Sequence, residues 1–326
     1  RPAMERWFRR LLFAVLPYPA RLRIVAAPLL LLGPVRRLLA RQGWLPARLR
    51  SLLMLGPEVT PRTLVRETPA LTEAVGERRL RVGLVTGCVQ RAFFGNVNDA
   101  TARVLAAEGC HVAAPRGQGC CGALAVHSGE PEQARAFARR MIATFEAAQV
   151  DVVAVNAAGC GSAMKEYGHL LQHDSTWAPR AAAFAARVKD LTEILASLGE
   201  VRAPRRHTPL RVAYHDACHL AHAQGVRREP RQLLESIPGL VLAPVAESEV
   251  CCGSAGIFNL TQPEMATALG RRKAGHLADT RPDVVVTSNP GCILQIRAAA
   301  RDAGHGFRVL HIAELLDEAI SGRAPA

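Results

Sequence analysis

The chain contains Cys120-Cys121-Gly122 and, 131 residues later, Cys251-Cys252-Gly253. Adjacent cysteines are poor partners for each other, because neighbouring Cα atoms sit ~3.8 Å apart whereas a relaxed disulfide spans roughly 4.4 to 6.8 Å. The pair must serve something else. A glycine directly after it allows positive φ and close passage of the backbone beside a bulky object such as a metal centre.

The repetition extends well beyond the pair. Cys88 precedes Cys120 by 32 positions and Cys218 precedes Cys251 by 33; Cys160 follows Cys121 by 39 and Cys292 follows Cys252 by 40. Flanking segments recur as well: Arg81-Val82-Gly83-Leu84-Val85 stands before Cys88 and Leu210-Arg211-Val212-Ala213-Tyr214 before Cys218, with Pro131-Glu132 past Cys120 and Pro263-Glu264 past Cys251. A tandem duplication accounts for this pattern. It divides the 326 residues into a basic segment with a linker (1–79), a first cysteine-rich repeat (80–200) and a second (201–326).

Short apolar runs lead into the cysteines. Leu80 to Val85, Cys110 to Ala114 and Asp151 to Val155 read as buried parallel strands, with helical spacing over Asn98–Glu108 and Pro131–Ala148. In the second copy Leu210–Tyr214, Leu240–Val245 and Asp283–Thr287 repeat the strands and Pro263–Ala278 the longer helix. The expected class is α/β: two tandem repeats, each a mainly parallel sheet flanked by helices, preceded by a basic helical segment. Ligands of such sheets lie beyond the carboxyl ends of the strands. Cys88, Cys120, Cys121 and Cys160 are therefore expected at one site, and Cys218, Cys251, Cys252 and Cys292 at another.

Four thiolates suit a structural zinc ion or a cubane iron-sulfur cluster, and spacing alone does not separate the two. Two disulfides per repeat would need an oxidising compartment, and the chain shows no signal peptide. Glycines beside the candidate ligands favour the larger cluster, whose sulfurs accept backbone N–H bonds. Cys110 has no counterpart and reads as a buried structural thiol. His215, His219 and His222 flank Cys218 with Asp216 between them; they replace a missing thiolate, shuttle a proton, or act as locally bonded neighbours. Lys165, Glu166 and Tyr167 read as the start of a helix. Gly117-Gln118-Gly119 lacks the rest of a dinucleotide fingerprint, and no Gly-x-Ser-x-Gly elbow is present, so flavin or nicotinamide chemistry is expected on a partner.

The net charge of +13 is concentrated at one end, because residues 1–50 hold eleven Arg against the single acid Glu5. The pattern there is Arg and Leu in short amphipathic stretches cut by Pro17, Pro19, Pro28, Pro34 and Pro46, which reads as several short helices. Its most apolar run, Ile24 to Val35, is broken by Pro28, Gly33 and Pro34 and falls short of the ~20 residues of a membrane span. The segment is expected to dock on a membrane surface or a partner subunit, or to pack as a connector on its own protein. Interleaved aromatic residues are scarce, and no nucleic acid is expected.

At these residues the chain resembles the cysteine-rich CCG domain family, found in heterodisulfide reductases and in iron-sulfur subunits of flavin-linked dehydrogenases, the glycolate oxidase iron-sulfur subunits among them. The resemblance rests on Thr86-Gly87-Cys88-Val89-Gln90, Gly119-Cys120-Cys121-Gly122-Ala123-Leu124, Asn156-Ala157-Ala158-Gly159-Cys160-Gly161, Tyr214-His215-Asp216-Ala217-Cys218-His219-Leu220-Ala221-His222, Cys251-Cys252-Gly253-Ser254-Ala255-Gly256 and Asn289-Pro290-Gly291-Cys292. It implies a cytoplasmic electron-transfer subunit, peripheral at the inner face of the membrane. A partner carrying FAD would oxidise glycolate, and this chain would relay the electrons through 4Fe-4S clusters, with zinc as the alternative, to a quinone or other acceptor. The eight repeated cysteines would be the ligands. A heterodisulfide-reductase-like thiol-disulfide catalyst and a zinc-stabilised assembly module are the competing readings. Two departures matter. The family's closing Cys-x-x-Cys has Ala163 and Gln295 at its second positions here, which argues against the noncubane cluster of heterodisulfide reductases. The ferredoxin-like part expected of the glycolate branch is also missing, and the chain opens at Arg1 without Met, as a fragment that had lost that part would.

Overall fold

The computed structural model describes residues 3–40 and 44–323; Arg1 and the last three residues lie outside them. Among the described residues nine strands form two sheets: β1 (Leu71–Thr72), β2 (Leu80–Leu84), β3 (Cys110–Ala113), β4 (Val152–Val155) and β5 (Val188–Asp190) in the first, β6 (Arg211–Tyr214), β7 (Val241–Ala243), β8 (Val284–Thr287) and β9 (Arg308–His311) in the second. Their orders are β1-β3-β2-β4-β5 and β7-β6-β8-β9, so without β1 the two are the same arrangement. All pairings are parallel except that of β1, which adds antiparallel to the edge of β3. The α/β duplication expected from the sequence is the observed architecture.

The registers repeat too. Arg81 pairs with His111 where Arg211 pairs with Val241, and Val82 with Val152 where Val212 pairs with Val284. Asp151 and Asp283 each accept from the backbone N–H of the facing arginine, Arg81 and Arg211, at 2.7 Å. The central strands are apolar on both faces because helices cover both. One core runs through both copies, from Leu84 and Leu105 to Val285 and Leu316. The seam between them is closed by Arg103, which forks onto Asp317 at 2.7 to 3.2 Å, and by Asn96, which donates to Glu314 at 2.6 Å.

The basic segment forms the short helices expected: Ala3–Val15, Pro19–Ala26, Leu29–Ala40 and Ala47–Leu55. It packs one face on the body, with Leu12 and Phe13 among Ala125, Ala134, Ile257 and Leu260, and Ser51 Oγ donates to the Asn259 carbonyl at 2.8 Å. It also leaves Trp7, Ile24, Val25, Leu31 and Trp44 exposed. No described helix is long and apolar enough to cross a membrane. The stretch 56–79, expected as a linker on account of its prolines, carries more structure than that. Thr60 caps a helix at Pro61–Val65 through a reciprocal capping box, in which proline at the first turn is favourable, and β1 follows.

Candidate metal centres

In both copies the first cysteine follows the first core strand. Cys88 comes four residues after β2, and Cys218 opens the helix Cys218–Ala221 after β6. The Cys-Cys-Gly pair sits in the loop beyond the second strand, and the fourth cysteine lies in the first turn of the helix after the third strand, Ala158–Lys165 or Pro290–Asp302. All eight thereby stand at the carboxyl ends of their sheets.

In each set of four, neighbouring thiols meet in pairs, although among the described residues no three thiols of one copy lie within 4.8 Å of one another. In the first copy the thiols form a connected row: Cys88 meets Cys120, Cys120 meets Cys121, and Cys121 meets Cys160. In the second, Cys218 meets Cys251, Cys251 meets Cys252, and Cys252 meets Cys292. All nine cysteines are free thiols, as a metal or cluster role requires and a disulfide framework does not. The glycine after each pair has positive φ, +82° at Gly122 and +90° at Gly253. Its N–H turns back to the first sulfur of the pair: Gly122 to Cys120 Sγ at 3.4 Å, Gly253 to Cys251 Sγ at 3.3 Å. At Gly253 glycine is further required because a Cβ there would lie 2.5 Å from the Ala266 carbonyl oxygen.

The first site is the more enclosed, with Cys88, Cys120 and Cys121 all buried, whereas Cys218 and Cys251 are half-buried. The Cys120 thiol beside it and burial hold Cys88 well above an ordinary thiol. Cys121 is raised as well: Cys120 pulls it down, but Cys160 and burial outweigh that. In the second site the Cys218 and Cys252 thiols beside it hold Cys251 well below an ordinary thiol. Sulfur atoms this crowded cannot all ionise without a cation among them, and a thiophilic metal or an iron-sulfur cluster meets that requirement. The donor sets thus fit either group.

Several surrounding residues position the thiols. The buried Tyr167 hydroxyl donates to the Cys121 carbonyl at 2.6 Å and stacks on Phe184. It begins a new short helix, Tyr167–Leu170, while Lys165 closes the preceding one; the three residues are therefore a junction and not the single helix start expected. Asn289 touches both sites, its Nδ2 donating to Cys292 Sγ at 3.4 Å and its Oδ1 accepting from Gly159 N–H at 3.5 Å. Cys110 is fully buried at the start of β3, opposite Leu80 and away from both sets, and burial pushes its thiol up to about 11.

Of the three histidines near Cys218, His219 lies with Nδ1 3.6 Å from Cys218 Sγ and reaches His127 through Nε2 at 3.2 Å, and His222 reaches the Glu249 carbonyl at 3.2 Å. His215 is wholly buried, and one of its ring nitrogens lies with Cys252 Sγ and Cys292 Sγ inside a mutual span of 4.8 Å. At the positions where a fifth thiol would stand, Gln295 donates to the Ala266 carbonyl at 2.9 Å and accepts from Asn259 at 3.3 Å, while Ala163 packs in the first-copy core. A cavity of about 560 Å³ lies elsewhere, between helices Ala47–Leu55, Pro263–Asp279 and Pro290–Asp302, and no candidate cysteine lines it.

Comparison with known proteins matches this geometry to a family. The sequence profile of the cysteine-rich domain termed CCG fits residues 82–165 and 212–297. A probable glycolate oxidase iron-sulfur subunit of Bacillus subtilis is 38% identical over 84% of this chain and 63% of its own length. Lactate utilization protein A of Exiguobacterium is 32% identical over 73% of this chain and 98% of its own length, and that of Geobacillus kaustophilus 32% identical over 73% and 99%. The chain therefore spans less than two thirds of the Bacillus subtilis relative. A crystal structure of a hypothetical protein from Helicobacter pylori shares the fold, with a TM-score of 0.54 at 10% identity over 85% of this chain and 57% of that one. With two profile matches falling on the two thiol-bearing sheets, the chain belongs to the cysteine-rich CCG domain family and carries the domain twice.

Proposed function

We propose that the chain is an iron-sulfur electron-transfer subunit of a flavin-linked glycolate oxidase complex. A partner bearing FAD removes electrons from glycolate, and this chain passes them toward a quinone or another acceptor. The observation that carries the reading is the convergence of four thiols, from distant parts of each copy, at the carboxyl end of each sheet. Cys88, Cys120, Cys121 and Cys160 hold one centre; Cys218, Cys251, Cys252 and Cys292 hold the other. A 4Fe-4S cluster at such a site supplies reversible one-electron storage. The protein's part is to bury the sulfurs, aim the Gly122 and Gly253 N–H groups at them, and fix their loops through Tyr167 and Asn289.

The organisation into 1–79, 80–200 and 201–326 gives the first segment the docking role: its exposed Trp7, Ile24, Leu31 and Trp44 stand among arginines, as a surface that meets an acidic partner or an anionic membrane face would. Anaerobic purification followed by iron and sulfide analysis and EPR tests the assignment. A colourless chain with stoichiometric zinc would overturn it.

A second reading, with lactate as the hydroxyacid, is favoured by the relatives named lactate utilization protein A, which this chain matches over nearly their whole length. Reduction of the chain by a candidate FAD-binding partner, driven by glycolate or by lactate, separates the two.

A further inference from the structure

The two copies offer the same four thiols but differ three residues before the first of them. Val85 occupies that position in the first copy and His215 in the second. The backbone is equivalent at both: Val85 N–H bonds to the Ala154 carbonyl at 3.0 Å, and His215 N–H to the Val286 carbonyl at 2.9 Å, each continuing the central strand pairing by one residue. Val85 packs with Cys88, Cys120 and Cys121 as part of an apolar wall. In the second copy that wall is an imidazole.

We infer that His215 is a ligand of the second metal centre, which is thereby held by nitrogen as well as sulfur while the first is held by sulfur alone; this rests on reading the repeated thiols as metal ligands. A His215 ring nitrogen, Cys252 Sγ and Cys292 Sγ lie within 4.8 Å of one another. With metal bonds of about 2.0–2.1 Å to nitrogen and about 2.3 Å to sulfur, one zinc ion reaches all three after small side-chain movements; in a 4Fe-4S cluster, where each iron takes one protein ligand, His215 takes the iron that one of the four thiols would otherwise hold. The ring is fully buried, and among the described residues its nitrogens meet no oxygen or nitrogen partner; the side chain they face is the Cys292 thiol. Buried polar atoms are seldom left so. The adjacent carboxylate does not supply the need, because Asp216 is held by Arg231 through both oxygens at 2.8 and 2.7 Å. Imidazole and thiolate both suit zinc and iron. Where imidazole takes the place of a thiolate the potential of an iron-sulfur centre rises above that of its all-cysteine form, so a second centre in which His215 displaces one of the four thiols is the electron sink of the pair.

The test uses the full chain, purified anaerobically with ¹⁵N-histidine, and two variants: His215→Val, which installs the side chain of the first copy, and His215→Cys, which keeps a metal-binding group. Pulsed EPR of the reduced protein is expected to show a histidine nitrogen coupled to one centre. That coupling disappears in both variants and persists in His222→Ala, and in His215→Cys one centre moves to lower potential with metal content unchanged. Absence of histidine coupling in the unaltered protein, or its survival in either His215 variant, would overturn the inference. If the chain carries zinc in place of iron, the iron-sulfur reading fails, yet X-ray absorption at the zinc edge still reports nitrogen at about 2.0–2.1 Å in the unaltered protein alone. A second copy that binds no metal overturns both.

Discussion

His311 joins the two copies and gives a stability prediction with a definite sign. It ends β9, is wholly buried, donates from Nε2 to the Asn156 carbonyl of the first copy at 2.7 Å, and accepts at Nδ1 from the Ala313 N–H at 3.1 Å, capping the last helix, Ile312–Ser321. This double role requires the neutral ring, and burial lowers its pKa from 6.5 to about 4. As pH falls below 6.5 the unfolded chain takes up a proton that the folded chain refuses. The contribution is therefore complete above 6.5, is lost as pH falls toward 4, and is level below that. At ~1.4 kcal/mol per pH unit its full extent is about 3 kcal/mol. Replacing His311 by Ala removes a cap, at roughly 1 kcal/mol, and leaves the Asn156 carbonyl without this donor, at about 1–3 kcal/mol. Urea denaturation of the two proteins side by side, which cancels acid release of metal common to both, should give a gap of about 3 kcal/mol at pH 7.5 that closes to about 1 kcal/mol or less at pH 4.5. A gap of constant size would refute the assignment of a buried neutral imidazole.

Five further substitutions probe the centres. Cys121→Ser and Cys252→Ser should each remove the iron of their own copy and lower the melting temperature, since bound metal stabilises the folded state; iron content unchanged in both would refute their ligand role. Gly253→Ala places a Cβ against the Ala266 carbonyl at 2.5 Å, whereas Gly122→Ala meets Ala134 at 3.3 Å; both share the cost of positive φ, so thermal melts should show the Gly253 variant as the less stable by the added overpacking, about 1–3 kcal/mol. Tyr167→Phe deletes the bond to the Cys121 carbonyl at a cost of about 1–2 kcal/mol, and the first centre should lose iron to a chelator faster than in the unaltered protein while the second does not.

The parts of this fold that were legible in the sequence are those where burial dictates composition. β2, β4, β6 and β8 are central and covered on both faces, so they read as unbroken apolar runs ending near a cysteine. β5 and β9 are flanking strands of three and four residues, and Val188-Lys189-Asp190 alternates buried and exposed positions, too briefly to register as a period. The prolines of 56–79 suggested a linker, although Pro61 in fact stands where a helix favours it. The eight cysteines announced themselves by repetition. Tyr167 did not, because its bond to Cys121 spans 46 positions and leaves no local pattern. His215 was visible as one of three histidines, but that it, and not its neighbours, faces Cys252 and Cys292 is decided by strand register. Aligning it with Val85 was the signal available in the sequence.

The fusion of two copies into one polypeptide has a consequence that a pair of identical chains could not share. In a symmetric homodimer every substitution appears at both symmetry-related positions, so the halves stay chemically equal. Here Val85 faces His215 across the alignment, Cys110 faces Leu240, and Ala157 faces Asn289, all on matching backbones. Covalent tethering has freed each half to acquire its own inner lining, and the molecule gains a direction, from one end to the other, that twofold symmetry would have forbidden.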